Sequence, residues 1–299
     1  MAKKIKSISI YRNDILLKSK DNPELDQSCF LYQFSEYDKK GNIIKEEKYM
    51  EKDVLEERSI REYDEEGRVI AELYYIDEEE WSEKRTFKYN GDGQLEEIYE
   101  HYLDGSYDTI THHYNKEGKL IEKRYTDEDG ELEERVIITF DGDKKVKEET
   151  FNEDGALSSS KTKEISNDGK LATTREWYPN DEEERIFKDF YKEDGIREIS
   201  ERYHNGKIVS RNSYEYNDKG LPTVIKEESR QSLSIIQLEY DNEGNLISQK
   251  EVDPNGNERS SFIRKYDNEG NILSIEALAD PSGIGVNQQY SMEYKYTYF

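Results

Sequence analysis

The sequence predicts an all-β protein whose tandem antiparallel β-hairpin repeats form one long, twisted or spirally curved, open sheet. Turn glycines recur every 24 to 27 residues over most of the 299-residue chain, and so regular a period marks a repeat architecture. Between these glycines, apolar residues alternate with polar ones, as in strands with one buried face. A helical period is hard to find, so no long helix is expected.

The repeat contains an eight-residue motif that begins with Tyr-Asp or Tyr-Asn, carries Gly at its fifth position and ends in two aliphatic residues. It is clearest at residues 37–44, 63–70, 114–121, 240–247 and 266–273. More divergent copies surround Gly93, Gly142, Gly169, Gly195 and Gly220. A weaker set of glycines follows 11 to 13 residues later: Gly105, Gly130, Gly155, Gly206 and Gly256. Each repeat therefore has two turns and two strands, which gives about 24 strands in all.

The motif predicts a specific turn. Asp suits the first position of a type I turn because its carboxylate accepts a nearby backbone N–H. Gly three residues later supplies the left-handed conformation of a G1 bulge. In that geometry Asp64 opposes Arg68, and one step outward Tyr63 opposes Val69. The equivalent pairs are Tyr37–Ile43, Tyr114–Leu120, Tyr240–Leu246 and Tyr266–Ile272.

Strand number bears on the shape of the predicted sheet. At ~4.8 Å per strand, about 24 strands laid side by side would span roughly 115 Å. Sheets this wide rarely stay flat, so strong twist or coiling into a spiral or open shell is expected. Residues 1–299 are predicted to form a single repeat domain, with 1–30 as an N-terminal cap and 277–299 as C-terminal cap strands.

The chain is strongly acidic. It carries 69 Asp and Glu against 44 Lys and Arg, a formal net charge of −25. Such a field repels phosphate backbones and anionic lipid, which argues against nucleic acid and membrane as partners and favours a basic protein. The alternative is that the charge only keeps an extended sheet soluble. The 24 Tyr argue against disorder, because disordered chains are poor in aromatics.

The cellular compartment is predicted from the number of cysteines and from the N-terminal sequence. The single cysteine, Cys29, excludes an intramolecular disulfide framework, and the basic start of the chain has no apolar run behind it. No stretch approaches the ~20 apolar residues of a spanning helix. We therefore expect a cytoplasmic protein. The sequence leaves its oligomeric state open.

Residues that could support catalysis are not arranged in known motifs. No phosphate-binding loop, nucleophile elbow or dinucleotide fingerprint is present. Carboxylate pairs are too common to indicate glycoside hydrolysis. The adjacent His112 and His113 would point to opposite faces of a strand, so they cannot share a metal. We expect no enzyme activity, no catalytic residues, no metal and no cofactor.

Two insertion-like segments combine carboxylates with aromatic side chains. The candidate partner-binding residues are Asp77, Glu78, Glu79, Glu80 and Trp81 in one segment, and Trp177, Tyr178, Glu182, Glu183 and Glu184 in the other. Trp and Tyr are typical interface anchors, and carboxylates would steer a basic partner. The alternative is that each Trp packs on the sheet and the acids are solvated.

The motif at residues 240–246 and 266–271, together with Asp253-Pro254-Asn255-Gly256-Asn257 between them, resembles the YD repeat of Rhs and teneurin-type proteins. The resemblance is loose over most of the chain and close over these two repeats. It implies an open solenoid like that of a YD shell. Large members enclose a cargo, often a toxin, whereas short acidic members resemble immunity or antitoxin partners of bacterial toxins.

Three hypotheses of function follow from these observations. The leading one is a non-enzymatic protein-binding module, an immunity protein or antitoxin that neutralises a basic toxin. A second is a structural or carbohydrate-binding YD-repeat protein that stacks sugars on rows of Tyr. A third is an acidic mimic of nucleic acid that inhibits a defence protein.

Overall fold

The computed structural model describes residues 3–17, 25–50, 54–76, 80–179, 184–279 and 288–299. Within them the chain is all-β, as predicted, and contains no helix. The 22 strands, in chain order, are β1 Ile5–Leu17, β2 Leu25–Tyr37, β3 Ile43–Met50, β4 Val54–Tyr63, β5 Val69–Tyr75, β6 Glu83–Tyr89, β7 Leu95–His101, β8 Tyr107–Tyr114, β9 Leu120–Thr126, β10 Leu132–Asp141, β11 Lys144–Asn152, β12 Leu157–Ile165, β13 Leu171–Trp177, β14 Arg185–Tyr191, β15 Arg197–His204, β16 Lys207–Tyr216, β17 Pro222–Ser229, β18 Leu233–Tyr240, β19 Leu246–Val252, β20 Glu258–Tyr266, β21 Ile272–Ala279 and β22 Gln288–Tyr298.

The strands belong to one sheet in which chain neighbours pair antiparallel. The first strand also pairs with the last, from Ile5 opposite Tyr298 to Ile15 opposite Gln289. The prediction of an open solenoid is therefore wrong, because the sheet closes through the pairing of β1 with β22. An open sheet would leave both terminal strands with unpaired backbone groups, and closure removes that exposed edge.

The chain divides into two compact units. Unit 1 comprises residues 1–84 and 235–299, and it contains the pairing of β1 with β22. Unit 2 comprises residues 85–234 and contains β7 to β17.

The motif turns form as the sequence predicts. Asp267 Oδ1 accepts the backbone N–H of Glu269 at 2.8 Å and of Asn271 at 2.9 Å, and Oδ2 accepts the Asn271 amide at 2.9 Å. Gly270 has φ of +85°, a conformation that glycine adopts without a Cβ penalty. At the equivalent turn, Asp64 opposes Arg68 and pairs with its guanidinium at 2.6 Å. In the first of these turns, the Asp267 carboxylate thus accepts hydrogen bonds from two backbone N–H groups and one side-chain amide.

The predicted Tyr–aliphatic pairs are also confirmed, and a bulge follows them. Tyr63 opposes Val69, and the next pair, Glu62 with Ala71, skips one residue. The same shift follows the other four predicted pairs, Tyr37–Ile43, Tyr114–Leu120, Tyr240–Leu246 and Tyr266–Ile272. Each motif hairpin therefore carries a bulge beyond its turn, which increases the local twist of the strands.

Between hairpins, the tyrosine of one motif binds the backbone of the previous repeat. The ladder between β3 and β4 begins at Lys45 opposite Ile60, so the carbonyl of Ile43 lies beyond it. The hydroxyl of Tyr63 donates to that carbonyl at 2.7 Å. We call this bond the tyrosine latch. It recurs at 2.6 to 2.9 Å from Tyr114 to Leu95, Tyr216 to Arg197, Tyr266 to Leu246 and Tyr296 to Ile272.

Few apolar side chains of the sheet are deeply buried. Among the described residues, the buried apolar side chains are Ala71, Val136, Ile138, Ala172 and Ala277. Buried polar positions are mostly small, such as Ser35 and Ser248. Because apolar burial is limited, hydrogen bonds and ion pairs across strands must contribute a larger share of the stability than in a deep core.

Removal of one latch hydroxyl should destabilise the protein measurably. We expect Tyr266→Phe to lower the free energy of unfolding by about 1 kcal/mol, because the carbonyl of Leu246 loses its donor. Urea unfolding followed by circular dichroism measures the change. Tyr294→Phe is the matched control, because in the described residues the Tyr294 hydroxyl makes no hydrogen bond. Equal effects of the two substitutions would show that the latch contributes nothing.

The turn carboxylates should make the stability of the protein depend on pH in the acidic range. The Asn271 side-chain and backbone donors lower the pKa of Asp267, so its stabilising contribution is present above the unfolded-state pKa of about 3.9 and is lost as pH falls through the lower folded value. We expect Asp267→Asn to flatten the dependence of the urea midpoint on pH below about 4. Asp154→Asn, which removes a carboxylate without a hydrogen bond in the described residues, should leave that dependence as it is.

Candidate protein-binding rim

Three alternate turns of unit 2 lie at the same end of its strands. They join β7 to β8 at residues 102–106, β9 to β10 at 127–131 and β11 to β12 at 152–156. We call these three turns the acidic rim. Their sequences contain four Asp, four Glu counting the flanking Glu133, and neither Lys nor Arg. The rim thus concentrates negative charge without a cation of its own.

Two rim carboxylates build the turns, and the others face solvent. Asp104 Oδ1 accepts the Ser106 N–H at 3.0 Å, and Asp127 Oδ1 accepts the Glu131 N–H at 2.8 Å. Other rim carboxylates are exposed and form no ion pair in the described residues. They are Glu128, Asp129, Glu131, Glu153 and Asp154. Charges that are exposed and uncompensated are the ones that can steer a charged partner.

Large apolar side chains are exposed beside these charges. Tyr102 is 47% exposed, Leu103 65% and Tyr107 46%. The Tyr107 ring meets that of Tyr99 edge-on, with 5.3 Å between ring centroids, and lies 5.7 Å from the His101 ring. Aromatic side chains are common anchors of protein interfaces, and here they lie next to carboxylates that form no ion pair in the described residues.

The opposite end of unit 2 differs because cations there already pair with the turn carboxylates. Lys119 binds Asp143 at 2.7 Å, and Lys170 binds Glu193 at 3.1 Å. These contacts join successive turns along that end. The carboxylates of these turns are largely neutralised by the lysines, so the turns are poorer sites for steering a basic partner.

The predicted segment around Trp177 is also at the rim end of unit 2, but it carries its own cations. Trp177 ends β13, is half-buried and lies opposite Ser160. The Arg185 guanidinium lies 5.0 Å from the centre of the Tyr178 ring, and Arg175 pairs with Glu184 at 3.5 Å. Glu182 and Glu183 lie outside the described residues.

The other predicted segment belongs to unit 1. Trp81 is half-buried and Glu80 is exposed. Next to them, the Ser82 N–H donates to the Tyr74 carbonyl at 2.7 Å and closes the connection. Asp77, Glu78 and Glu79 lie outside the described residues. The structure describes the two predicted segments in different units, and it gives neither a set of unpaired carboxylates like that of the rim.

Sequence reasoning missed the rim because each of its turns looks like an ordinary acidic turn. The available signal was the absence of Lys and Arg from three alternate connections, 102–106, 127–131 and 152–156. Antiparallel pairing brings alternate connections to one end of a sheet. Because these three connections lack Lys and Arg, whereas turns at the opposite end contain Lys119 and Lys170, the sequence already distinguishes turns with balanced charge from turns with unbalanced negative charge.

The rim and its surroundings show no arrangement for metal chemistry. In the part of the chain that the structure describes, no three His, Cys, Asp or Glu side chains form a group that could hold a metal ion. His101 shares a hydrogen bond of 2.8 Å with the Thr86 hydroxyl. Burial lowers the pKa of His112, aided by the charge of Lys123.

The part of the chain that the structure describes contains no helix long and apolar enough to cross a membrane.

Comparison with known proteins gives weak structural matches. No family model and no curated protein matches the chain. A porin-like protein from Bacteroides uniformis ATCC 8492 matches 98% of both chains at 12% identity and a TM-score of 0.33. The Photorhabdus luminescens Tc holotoxin pore matches 93% of this chain and 15% of its own at 14% identity and a TM-score of 0.37. A TcdB2-TccC3 structure matches 91% of this chain and 23% of its own at 11% identity and a TM-score of 0.23.

The weak neighbours therefore include Tc toxin components, and no family membership is established. The prediction of a cytoplasmic location is wrong. It rested on the single cysteine, the N-terminal sequence and the lack of a long apolar run, and none of these signals detects a sheet that closes through the pairing of β1 with β22. With TM-scores this low, the function has to be argued from the chain's own residues.

One rim contact predicts an unusual titration. A hydrogen bond from the Tyr102 hydroxyl to Asp108 raises the pKa of Tyr102 to about 12. We expect Asp108→Asn to move that pKa toward the ordinary value of about 10, because the neighbouring negative charge is removed. Titration of ¹³C-labelled tyrosine followed by NMR measures it, with Tyr102→Phe assigning the signal. An unchanged Tyr102 signal would show that the contact does not form in solution.

Proposed function

We propose that the protein is a non-enzymatic protein-binding module whose acidic rim binds a basic protein. The observation that carries the proposal is the coincidence, at one end of unit 2, of unpaired carboxylates with exposed Tyr102, Leu103 and Tyr107. Carboxylates without local cations accelerate the encounter with a positive surface, and apolar anchors supply affinity once that surface has docked.

The rim favours a protein over a sugar as the partner. A carbohydrate-binding surface would present the faces of repeated tyrosines to solvent. The motif tyrosines are instead half-buried, and the hydroxyls of Tyr63, Tyr114 and Tyr266 are engaged in latches. This weighs against the alternative of a carbohydrate-binding YD-repeat protein.

The motif resemblance extends the proposal to the kind of partner. Short acidic proteins that resemble YD repeats are similar to immunity or antitoxin proteins, and a toxin that acts on nucleic acid carries the basic surface that the rim would mask. An acidic mimic of nucleic acid would use the same charge against a defence protein. The identity of the captured partner separates these two readings.

The test compares two charge-reversal variants in a pulldown from the native host, analysed by mass spectrometry. The rim variant carries Glu128→Lys, Asp129→Lys and Glu153→Lys. The control carries Glu117→Lys, Glu243→Lys and Glu269→Lys, which changes the net charge equally at exposed motif turns. We expect wild type and control to retain one stoichiometric basic protein.

For the purified pair, we expect the rim variant to weaken binding at least tenfold, because a tenfold loss requires only about 1.4 kcal/mol. Binding of the wild type should weaken as salt is raised, since the encounter is electrostatic. If the rim and control variants lost binding equally, net charge alone would explain the interaction, and a binding site specific to the rim would be contradicted. Retention of an acidic protein or of none would contradict the proposal as a whole.

A further inference from the structure

Aromatic rings of unit 2 commonly carry a cation that the chain itself supplies. The negative face of an aromatic ring attracts a positive charge, and arginine and lysine both make this contact. In the described residues of unit 2, a Lys or Arg group lies 4.8 to 5.9 Å from the ring centres of Phe140, Tyr178, Phe187, Tyr203, Tyr214 and Tyr216. A cation over a ring is therefore a recurrent contact in this unit.

Tyr107 departs from this pattern. It is 46% exposed, more than the 38% of Tyr178, whose ring carries Arg185. In the part of unit 2 that the structure describes, no Lys or Arg lies over the Tyr107 ring. The turns of the acidic rim contain neither Lys nor Arg, so the rim has no cation of its own to place there. The exposed surface of this ring is thus open to a cation from outside the chain.

Two neighbouring rings hold Tyr107 in place, and each of them is itself anchored. Tyr99 meets the Tyr107 ring edge-on, and its hydroxyl donates to Glu97, which Lys88 binds at 2.9 Å. His101 lies opposite Tyr107 in the ladder and shares a hydrogen bond with the Thr86 hydroxyl. A ring that is already fixed loses little conformational freedom when a ligand stacks on it.

A carboxylate without an ion pair lies on the segment next to this ring. The ladder between β8 and β9 begins at Thr109 opposite Thr126, so Tyr107 and Glu128 each lie two residues beyond this pair on neighbouring segments. Glu128 is exposed and forms no ion pair in the described residues. A ring face and a carboxylate together match a guanidinium, which stacks through its plane and donates hydrogen bonds through its N–H groups.

We propose that the basic partner contributes an arginine whose guanidinium lies against the Tyr107 ring and pairs with Glu128. This inference rests on the proposed function, because it identifies the chemical group by which a basic protein engages the rim. Lysine fits the site less well, since its ammonium is a compact, strongly hydrated charge without a plane to stack. The chain uses the same contact internally, with Arg197 lying 4.8 Å from the centre of the Tyr214 ring.

The experiment measures, by fluorescence anisotropy, the binding of two fluorescein-labelled hexapeptides in which serine alternates with either arginine or lysine. The two peptides carry the same charge, so the ratio of their affinities cancels the effect of the protein's net charge. We expect wild type to bind the arginine peptide about fivefold more tightly, the size of a cation–π contact at a partly exposed site. Tyr107→Leu, which keeps an apolar side chain but has no ring, should lose this preference.

Two variants serve as controls for the ring. Tyr107→Phe should keep the preference for arginine, because it retains the ring and because the Tyr107 hydroxyl makes no hydrogen bond in the described residues. Tyr178→Leu removes an exposed ring of unit 2 that already carries Arg185, so it should also keep the preference. Retention of the preference by Tyr107→Leu, its loss in either control, or equal binding of the two peptides by wild type would overturn the proposal.

A charge substitution tests the same contact without changing the ring. We expect Glu128→Gln to weaken binding of the arginine peptide about threefold, as the loss of one exposed ion pair does. Glu117→Gln, at an exposed motif turn, is the charge-matched control and should bind as wild type does. Equal affinities of the Glu128→Gln and Glu117→Gln variants would contradict the pairing with Glu128, whether or not Tyr107→Leu folds.

The pulldown distinguishes failure of this inference from failure of the proposed function. If the rim variant loses the basic protein while Tyr107→Leu binds it with full affinity, the rim binds without the arginine contact, and this inference alone is overturned. If wild type captures no basic protein but shows an arginine preference that depends on Tyr107, the contact is supported and the proposed function is contradicted.

Discussion

The hydrogen bond from a motif tyrosine to the carbonyl of the previous repeat is the constraint on which the repeated structure depends. Bulges follow the motif turns and the hairpins separate there, leaving carbonyls such as that of Ile43 without a ladder partner. An unpaired, part-buried carbonyl costs about 1–3 kcal/mol. Only a side chain with the reach of tyrosine and a terminal donor fits all five described latches, which accounts for the recurrence of Tyr at the motif's first position.

Ion pairs across strands take up the role that a deep core has in globular proteins. Arg61 bridges Glu46 at 2.9 Å and Glu72 at 3.1 Å, and so ties β3, β4 and β5 together. Glu47 is buried, and burial alone would raise its pKa, but the hydrogen bonds from Arg58 and Tyr49 and the charge of Lys45 together outweigh this and the pKa is lowered. A sheet with charges on both faces can therefore be ordered at a charged fraction of 38%, a composition otherwise typical of disorder.

Local chemistry was predictable from the sequence, and closure was not. The Asp carboxylate, the turn glycine and the Tyr–aliphatic pairs are set by residues within eight positions of one another, so the motif predicts them. The pairing of Ile5 with Tyr298 joins opposite ends of the chain, and no local pattern encodes it. The bulge after each motif pair was missed because it depends on how two strands twist past each other.

For the candidate site, too, composition was predictable from the sequence, and position in the folded sheet was not. Acidic and aromatic composition predicted a binding surface, but the segments around Trp81 and Trp177 were chosen for their tryptophans. Whether a carboxylate is free depends on its neighbours across strands, as the pairing of Glu184 with Arg175 shows. The exposed rim acids acquire their significance from turns that are about 25 residues apart in sequence and adjacent only after strand pairing.

The pairing of β1 with β22 also determines how such a protein can change in length. A repeat array with free ends can gain or lose a hairpin at either terminus, and every other contact survives. Here both terminal strands already have partners on two sides, β1 with β2 and β22, and β22 with β21 and β1. A duplicated hairpin would have to separate two bonded strands and satisfy both, so the number of repeats is selected as a property of the whole sheet rather than accumulated one unit at a time.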